Sequence, residues 1–462
     1  MSTIKNYILY LFIAMLLIAG FAWKLNTLAA AAIAIGISVA VYMFMRPFVA
    51  LGFLVLLLPL EIVLTEASGR VTLLKLTSFI IFSSIALRVL TRKISICRTP
   101  INIWIAMYLL AWVLSFIYGD PAAETWTLIK DSFWFVSIFI VGLYGVENEN
   151  EAKRIVYLFL FEMTLIALFG YFQVIAGTGW VSDFATSRVG TLLFGSYAEV
   201  LKYWQGYWKI GISGVRVIGT FFSPDYYCAF LGYPLSFAFA IILKKTGKER
   251  FMAAIAWLLM FGNVILTYSR GGWLSMAAST AVMLLATGNA SIAGLILVLC
   301  IPIMVLSSEF LQAIPYLGDR LFSIGKAAEG ADPRYDIWAA MLVKIKDYPL
   351  FGHGAWGTVT TMRFSAGGVH GHNLYLELLY AIGIVGLLAF LAIITVTLWQ
   401  LFRKGNLSGF AEVYNLGFIG ALVWFLCQNI VDFQFYHAKN GSVFWLMLGI
   451  FFAISVKGQV RR

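Results

Sequence analysis

The sequence predicts an all-α polytopic integral membrane protein with about 12–14 transmembrane helices and two large loops on one face. Three observations lead there. The chain has 462 residues, of which 61% are hydrophobic and only 12% charged, about half the charged share of an ordinary soluble domain. Its mean hydropathy is +0.88. Apolar runs of roughly the 20 residues that a bilayer core requires recur along the chain, and long polar, Gly-bearing segments interrupt them at two places, the second of which carries three of the four histidines.

The runs lie near 7–23, 27–45, 48–64, 71–90, 102–118, 126–145, 154–176, 224–243, 251–267, 271–287, 290–306, 373–401, 411–434 and 441–456. The first, Tyr7 to Trp23, lacks a small-residue cleavage site and is followed at once by another. It therefore reads as a span rather than a cleaved leader. Lys and Arg in short loops mark the cytoplasmic face. Arg88, Arg92, Lys93 and Arg98 follow the fourth run. Lys244, Lys245, Lys248 and Arg250 follow the eighth, Arg403 and Lys404 the twelfth, and Lys457, Arg461 and Arg462 end the chain. With about fourteen spans these clusters share one face with the N-terminus. The expected organisation is N-terminal transmembrane helices over 1–176, a first outer loop over 177–223, central helices over 224–306, a second outer loop over 307–372, and C-terminal helices over 373–462.

Composition also excludes function classes. The net charge of +11 fits cytoplasmic anchoring, so no nucleic-acid partner is expected. Cys97, Cys228, Cys300 and Cys427 are scattered without a CxxC, which argues against a disulfide framework or a zinc site. No GxxxxGK[ST], no HExxH and no outer-loop DxD occurs, so neither a metal nor a nucleotide cofactor is expected. Lys130 and Asp131 in the sixth run and Glu162 in the seventh need partners inside the bundle. Adjacent residues point about 100° apart on a helix, so Lys130 and Asp131 do not pair with each other.

The outer segments carry the chemistry. The first is aromatic: Trp180, Phe184, Phe194, Tyr197, Tyr203, Trp204, Tyr207 and Trp208. Such rings suit either the headgroup level of the bilayer or a platform for sugar rings. The second contains its own helix, capped by Asp332 with Pro333 in its first turn, in which Ile337, Trp338, Met341, Leu342 and Ile345 recur at helical spacing. This pattern fits a helix on the membrane surface. It leads into Phe351–Gly386, where His353, His370 and His372 precede an apolar run. His437 is also expected at the outer edge.

Arg216, Arg270 and Arg334 all fall at this face. Guanidinium groups donate two parallel hydrogen bonds to phosphate and stay charged, so converging arginines suit a diphosphate leaving group. A histidine with an ordinary pKa near 6.5 suits removal of a proton from an attacking hydroxyl. Asp432 stands where it can orient that histidine or hold the acceptor. Each has a plainer alternative: interfacial anchoring for Arg216 and Arg270, a surface ion pair for Arg334, and an acid ending a span near water for Asp432. His353 and His370 are expected to serve loop structure.

Four segments resemble one family. His372-Asn373, nine residues, and then Gly383-Ile384-Val385-Gly386 are similar to the H-N-x9-G-x-x-G signature of O-antigen ligases and the related O-antigen polymerases. DPRYDIWAAMLVKIKDYPLFGHGAWG resembles the family's Arg, Trp and P-L-x-G-x-G stretch, TYSRGGW its T-x-S-R-G-x-W, and RVIGTFFSPDYYCAFL its R-x-x-G-T-F-x-x-P-N, with Asp225 where Asn is usual. The blocks occur in the family's order.

The resemblance implies a GT-C-like fold in the bacterial inner membrane, with the active site facing the periplasm. It implies transfer of a glycan from undecaprenyl diphosphate to a sugar hydroxyl, with inversion and without metal or ATP. It makes His372 the candidate base, Arg270 and Arg334 the candidate diphosphate binders, and Arg216, Asp432, Trp338 and Asn373 candidate substrate-binding residues. The acceptor is lipid A–core for a ligase and a second lipid-linked glycan for a polymerase. A passive lipid-linked glycan transporter would instead need polar residues through the full bilayer depth, whereas here they gather on one face.

Overall fold

The computed structural model describes residues 27–60, 62–65, 71–119, 125–194, 216–289, 334–355, 359–361, 364–403 and 408–460. The first and eleventh apolar runs, most of the aromatic loop, and the cap residues Asp332 and Pro333 lie outside the described residues.

Among the described residues the chain is all-α with two small hairpins. In order it forms α1 (Thr27–Met45), α2 (Pro47–Leu57), β1 (Val63–Thr65), β2 (Val71–Thr72), α3 (Leu73–Leu90), α4 (Asn102–Tyr118), α5 (Thr125–Gly145), α6 (Glu149–Thr186) and α7 (Arg188–Phe194). Then come α8 (Pro224–Lys244), α9 (Gly247–Leu266), α10 (Arg270–Ala286), α11 (Arg334–Ile345), β3 (Val359–Thr361), β4 (Phe364–Val369), α12 (Leu374–Arg403), α13 (Phe410–Val431) and α14 (Ala438–Val460). β1 pairs antiparallel with β2, and β3 with β4. The second hairpin lies in the segment before His372 and has no counterpart in the apolar periodicity.

Among the described residues, eight helices are long and apolar enough to cross a membrane: α3, α5, the part of α6 up to Gly177, α8, α9, α12, α13 and α14 up to Ser455. The runs at 27–45 and 48–64 read as two segments, with the short early loops leaving open whether 27–45 is a full crossing. Ile35–Met45 and Pro47–Leu57 meet at 117°. Pro47 cannot donate to the preceding turn and opens a new helix. α2 has 11 residues, about 16 Å of rise, too short to cross alone. The pair is thus a single broken span or a re-entrant turn. α6 also runs past its expected end at 176, bending at Gly177, whose φ is +82°. Beyond the bend, Trp180 stacks on Phe184 and meets Phe169 and Phe172 edge-on.

Asp131 and Lys439 find partners inside the bundle, whereas Glu162 Oε2 has no hydrogen-bond partner among the described residues. Asp131 of α5 receives Lys75 Nζ of α3 at 3.0 Å, while Lys130 faces outward. Glu162 of α6 is buried. Lys439, at the start of α14, is also buried. Its ammonium donates to the carbonyls of Pro59 and Thr220 at 3.0 and 2.7 Å and lies over the Phe221 ring.

The two ends of the bundle differ. One gathers the end of α5 and the starts of α6, α9 and α13. There Lys153 pairs with Glu249 and Lys244 with Glu412, and Tyr144 accepts from the backbone N–H of Cys97. The basic clusters that follow α3 and α8 lie at this end. The other end carries the candidate site.

Candidate functional site

The site is built where the start of α12 meets the end of α13. Asn373 caps α12: its Oδ1 accepts from the N–H groups of Tyr375 and Leu376, both at 3.0 Å, satisfying donors that a helix start otherwise leaves open. Its Nδ2 donates to the Ile430 carbonyl at 2.9 Å, and Tyr375 Oη donates to the Leu426 carbonyl at 3.0 Å. The side chain expected to bind substrate is therefore the clamp between the two helices.

This clamp sets His372 beside Asp432. Its Nδ1 lies 3.7 Å from Asp432 Oδ1, and the His372 side chain is 50% exposed while that of Asp432 is 16% exposed. Asp432 Oδ1 also accepts from the Phe433 N–H at 2.8 Å, and Oδ2 from the Gln434 side-chain amide. Four residues beyond Asp432, Tyr436 anchors the loop inside the bundle, bonded to the Tyr108 hydroxyl and accepting from Trp112 Nε1 at 3.1 Å. His372 has φ of +46°, and Tyr268, two residues before Arg270, has φ of +53°. Left-handed backbone at non-glycine residues is uncommon and gathers at functional sites.

Arg270 is the first residue of α10. A Cβ added at the next residue, Gly271, would lie 2.7 Å from Val431 Cγ2, so the start of α10 abuts the last residue of α13, beside Asp432. Arg334 is the first residue of α11. One turn on, Trp338 Nε1 donates to the Gly371 carbonyl at 2.6 Å. Trp338 therefore fastens the loop before His372. Ile337 and Met341 seat α11 on Leu376 and Tyr380 of α12, while Leu342 and Val343 are exposed.

Arg216 is turned inward and only 4% exposed. Its Nε donates to the Thr267 carbonyl at 2.7 Å and its Nη2 to Asp225 Oδ1 at 3.1 Å. It reaches the site through the backbone just before Arg270 and through the first turn of α8. Asp225, in place of the usual Asn, supplies the carboxylate for this pair. Gln428 of α13 donates to the Asp225 carbonyl at 3.3 Å, tying the start of α8 to the helix that ends at Asp432.

The remaining histidines have other surroundings. His353 is buried, stacks on Tyr380 at 4.2 Å between ring centres, and has Nε2 3.0 Å from the Lys344 carbonyl. His437 packs among Phe222 and Tyr226. His370 is half exposed, with Nδ1 3.9 Å from Glu377 Oε1.

Two motif blocks clasp each other. α12 breaks at Gly383, whose φ is +65°, and the Pro349–Gly354 loop fills the break. Ile384 and Val385 N–H donate to the carbonyls of Pro349 and Leu350 at 2.9 and 3.3 Å. The N–H groups of His353 and Gly354 donate to the carbonyls of Tyr380 and Ala381 at 2.8 and 2.9 Å. A Cβ at Gly383 would stand 2.2 Å from the Leu350 carbonyl oxygen, and one at Gly352 2.5 Å from that of Ala381. Irregular backbone at this depth is thus satisfied by protein.

Sequence reasoning missed Glu377, which is fully buried and accepts the Gly371 N–H at 2.6 Å. The available signal was an acid in the first turn of a helix directly after the His-Asn pair.

Residues 255–391 match the family model described as O-antigen ligase. An uncharacterized protein of Haemophilus influenzae is 25% identical over 190 residues, which cover 36% of this chain and 46% of that protein. The chain thus spans about half the length of the curated relative it matches. The matched region holds Arg270, Arg334, Trp338, His372 and Asn373, and its similarity supports the O-antigen ligase/polymerase superfamily.

Proposed function

We propose that this chain is an inverting glycosyltransferase of the inner membrane that moves a glycan from undecaprenyl diphosphate to a sugar hydroxyl at the periplasmic face. The acceptor on this reading is lipid A–core, which makes the protein an O-antigen ligase, and the surrounding membrane lipids hold both substrates at the site. The observation that carries the reading is the exposed His372 ring, 3.7 Å from Asp432, at the helix junction where Arg270 begins α10.

With Nδ1 facing Asp432, Nε2 of His372 presents the lone pair that takes the proton of the acceptor hydroxyl. The hydroxyl oxygen attacks the anomeric carbon, and the bond from that carbon to the diphosphate oxygen breaks. Its electron pair leaves with the diphosphate. One displacement inverts the carbon. Arg270 and Arg334 neutralise the charge that builds on the leaving group, so neither a metal nor ATP has a step to perform. Asp432 stabilises the imidazolium that forms. Arg216 and Asn373 serve this chemistry by holding the backbone at Thr267 and Ile430.

A polymerase of the same superfamily is the second reading, because the same groups serve a lipid-linked acceptor equally well. Reconstitution separates the two. Purified protein is mixed with undecaprenyl-diphosphate-linked glycan, with and without lipid A–core. Glycan on lipid A–core, formed only when that acceptor is present, is the expected product. A ladder of longer lipid-linked glycan without lipid A–core would make the protein a polymerase, and no transfer at all would overturn both readings.

A further inference from the structure

We infer that Glu377 is a positioning residue whose buried carboxylate works with the Trp338 indole to hold Gly371 from both sides, and so sets His372 in the left-handed conformation that faces Asp432. This rests on the reading of His372 as the proton acceptor and adds how the ring is held.

The backbone of Gly371 has one donor and one acceptor, and both are taken by side chains from different helices. Its N–H donates to Glu377 Oε1 at 2.6 Å, and its carbonyl accepts from Trp338 Nε1 at 2.6 Å. Glu377 belongs to α12 and is fully buried, and Trp338 belongs to α11. The carbonyl of Gly371 is part of the peptide that leads into His372, so its direction fixes the plane from which the His372 φ of +46° is turned. Those two bonds help offset the cost of that φ, since the Cβ of histidine, which glycine lacks, crowds the carbonyl oxygen there.

The arrangement resembles a capping box in which the acid lies one residue later and the N–H it accepts two residues earlier. The cap residue Asn373 satisfies the N–H groups of Tyr375 and Leu376, and an acid in the first turn reaches back past the cap to a free N–H. Gly371 is needed for closeness: a Cβ there would lie 2.4 Å from Met341 Sδ and 3.4 Å from Glu377 Oε1. Met341 is buried between α11 and α12, so α11, the loop and α12 close on this residue together. Glu377 also faces His370, whose Nδ1 is 3.9 Å away. The carboxylate is thus enclosed by the loop it organises.

A hydrogen-bond acceptor, rather than a charge, is what the clamp requires. Glu377→Gln keeps a side-chain oxygen for the Gly371 N–H, whereas Glu377→Ala removes it. The test uses the full-length protein in proteoliposomes with undecaprenyl-diphosphate-linked O-antigen and lipid A–core. It reads kcat and KM separately, together with amide hydrogen exchange across 370–373.

Glu377→Gln is expected to keep kcat and the slow exchange at Gly371. Glu377→Ala is expected to exchange that amide fast and to lose about 10²-fold in kcat, the scale for a displaced reacting group, with KM unchanged. Trp338→Phe removes the other bond without opening the interior, lowers kcat in the same way, and serves if the alanine protein folds poorly. Full kcat in Glu377→Ala despite fast exchange, equal losses in the Gln and Ala proteins, or a change confined to KM would each overturn the clamp. His372→Ala, run alongside, fails to lose activity only if the underlying base assignment is wrong, and the exchange data then still report whether Gly371 is held.

Discussion

The two ends of the helix bundle solve the problem of placing polar groups in opposite ways. At the end holding the starts of α6, α9 and α13, charges pair side chain to side chain and stand near solvent: Lys153 and Glu249 are 37% and 39% exposed. Such pairs contribute little, because water already solvates both partners. At the other end, buried side chains bond to backbone: Arg216 to Thr267, Asn373 to Ile430, Lys439 to Pro59 and Thr220. Those bonds hold irregular backbone in place, including two of the three left-handed non-glycine residues among the described residues, Tyr268 and His372, the third being Arg92 at the far end. An end that only has to stay in water is built from exchangeable ion pairs. The end that carries His372 is built largely from side-chain bonds to backbone.

Substitutions should expose this difference. The largest effect on folding is expected at the clasp. Gly383→Ala forces an alanine to φ of +65° and into the Leu350 carbonyl, about 1–3 kcal/mol from the backbone conformation alone with the overlap added. Thermal unfolding of the detergent-solubilised protein measures it. A melt equal to wild type would mean that the break in α12 does not need glycine.

Asp432→Asn should leave the melt in place and slow transfer by about 10²-fold or more, as for other groups that orient a base. Single-turnover transfer rates check this. Arg216→Met removes one partner from the Thr267 carbonyl and from Asp225, costing about 1–3 kcal/mol, and should lower activity through the displaced Arg270. Denaturant or thermal midpoints, read with the rate, separate the two effects. The smallest change is expected at the far end, where Lys153→Met should cost about 0.2–1 kcal/mol and leave transfer untouched. A loss of activity there would mean that the ends are coupled.

Much of this architecture was legible in the sequence. Apolar periodicity marks α3 to α6, α8 to α10 and α12 to α14, since a helix in lipid must satisfy its own backbone and so declares itself by length. The helix at Arg334–Ile345 and the joining of His372 to a helix start were equally readable, because caps and turns are local. What was not legible depends on contacts between distant segments. The Pro349–Gly354 loop and the Gly383 break each look like isolated glycine-rich breaks, and only their mutual hydrogen bonds explain both. Arg216 reads as a free cation until Asp225 and Thr267 close around it. Asn373 reads as a polar neighbour of His372, and the fold makes it the bolt between α12 and α13. The 117° turn at Pro47 hides in a run that is apolar on both sides, where hydropathy carries no sign of direction.

The central claim is that the end bearing His372 performs glycan transfer with that imidazole as proton acceptor. The most direct measurement is the transfer rate of His372→Ala against wild type in proteoliposomes containing undecaprenyl-diphosphate-linked glycan and lipid A–core, with equal melts confirming equal folding. The account predicts a fall of about 10²–10⁴-fold, the contribution of a general base. A His372→Ala protein that transfers glycan as fast as wild type would contradict it.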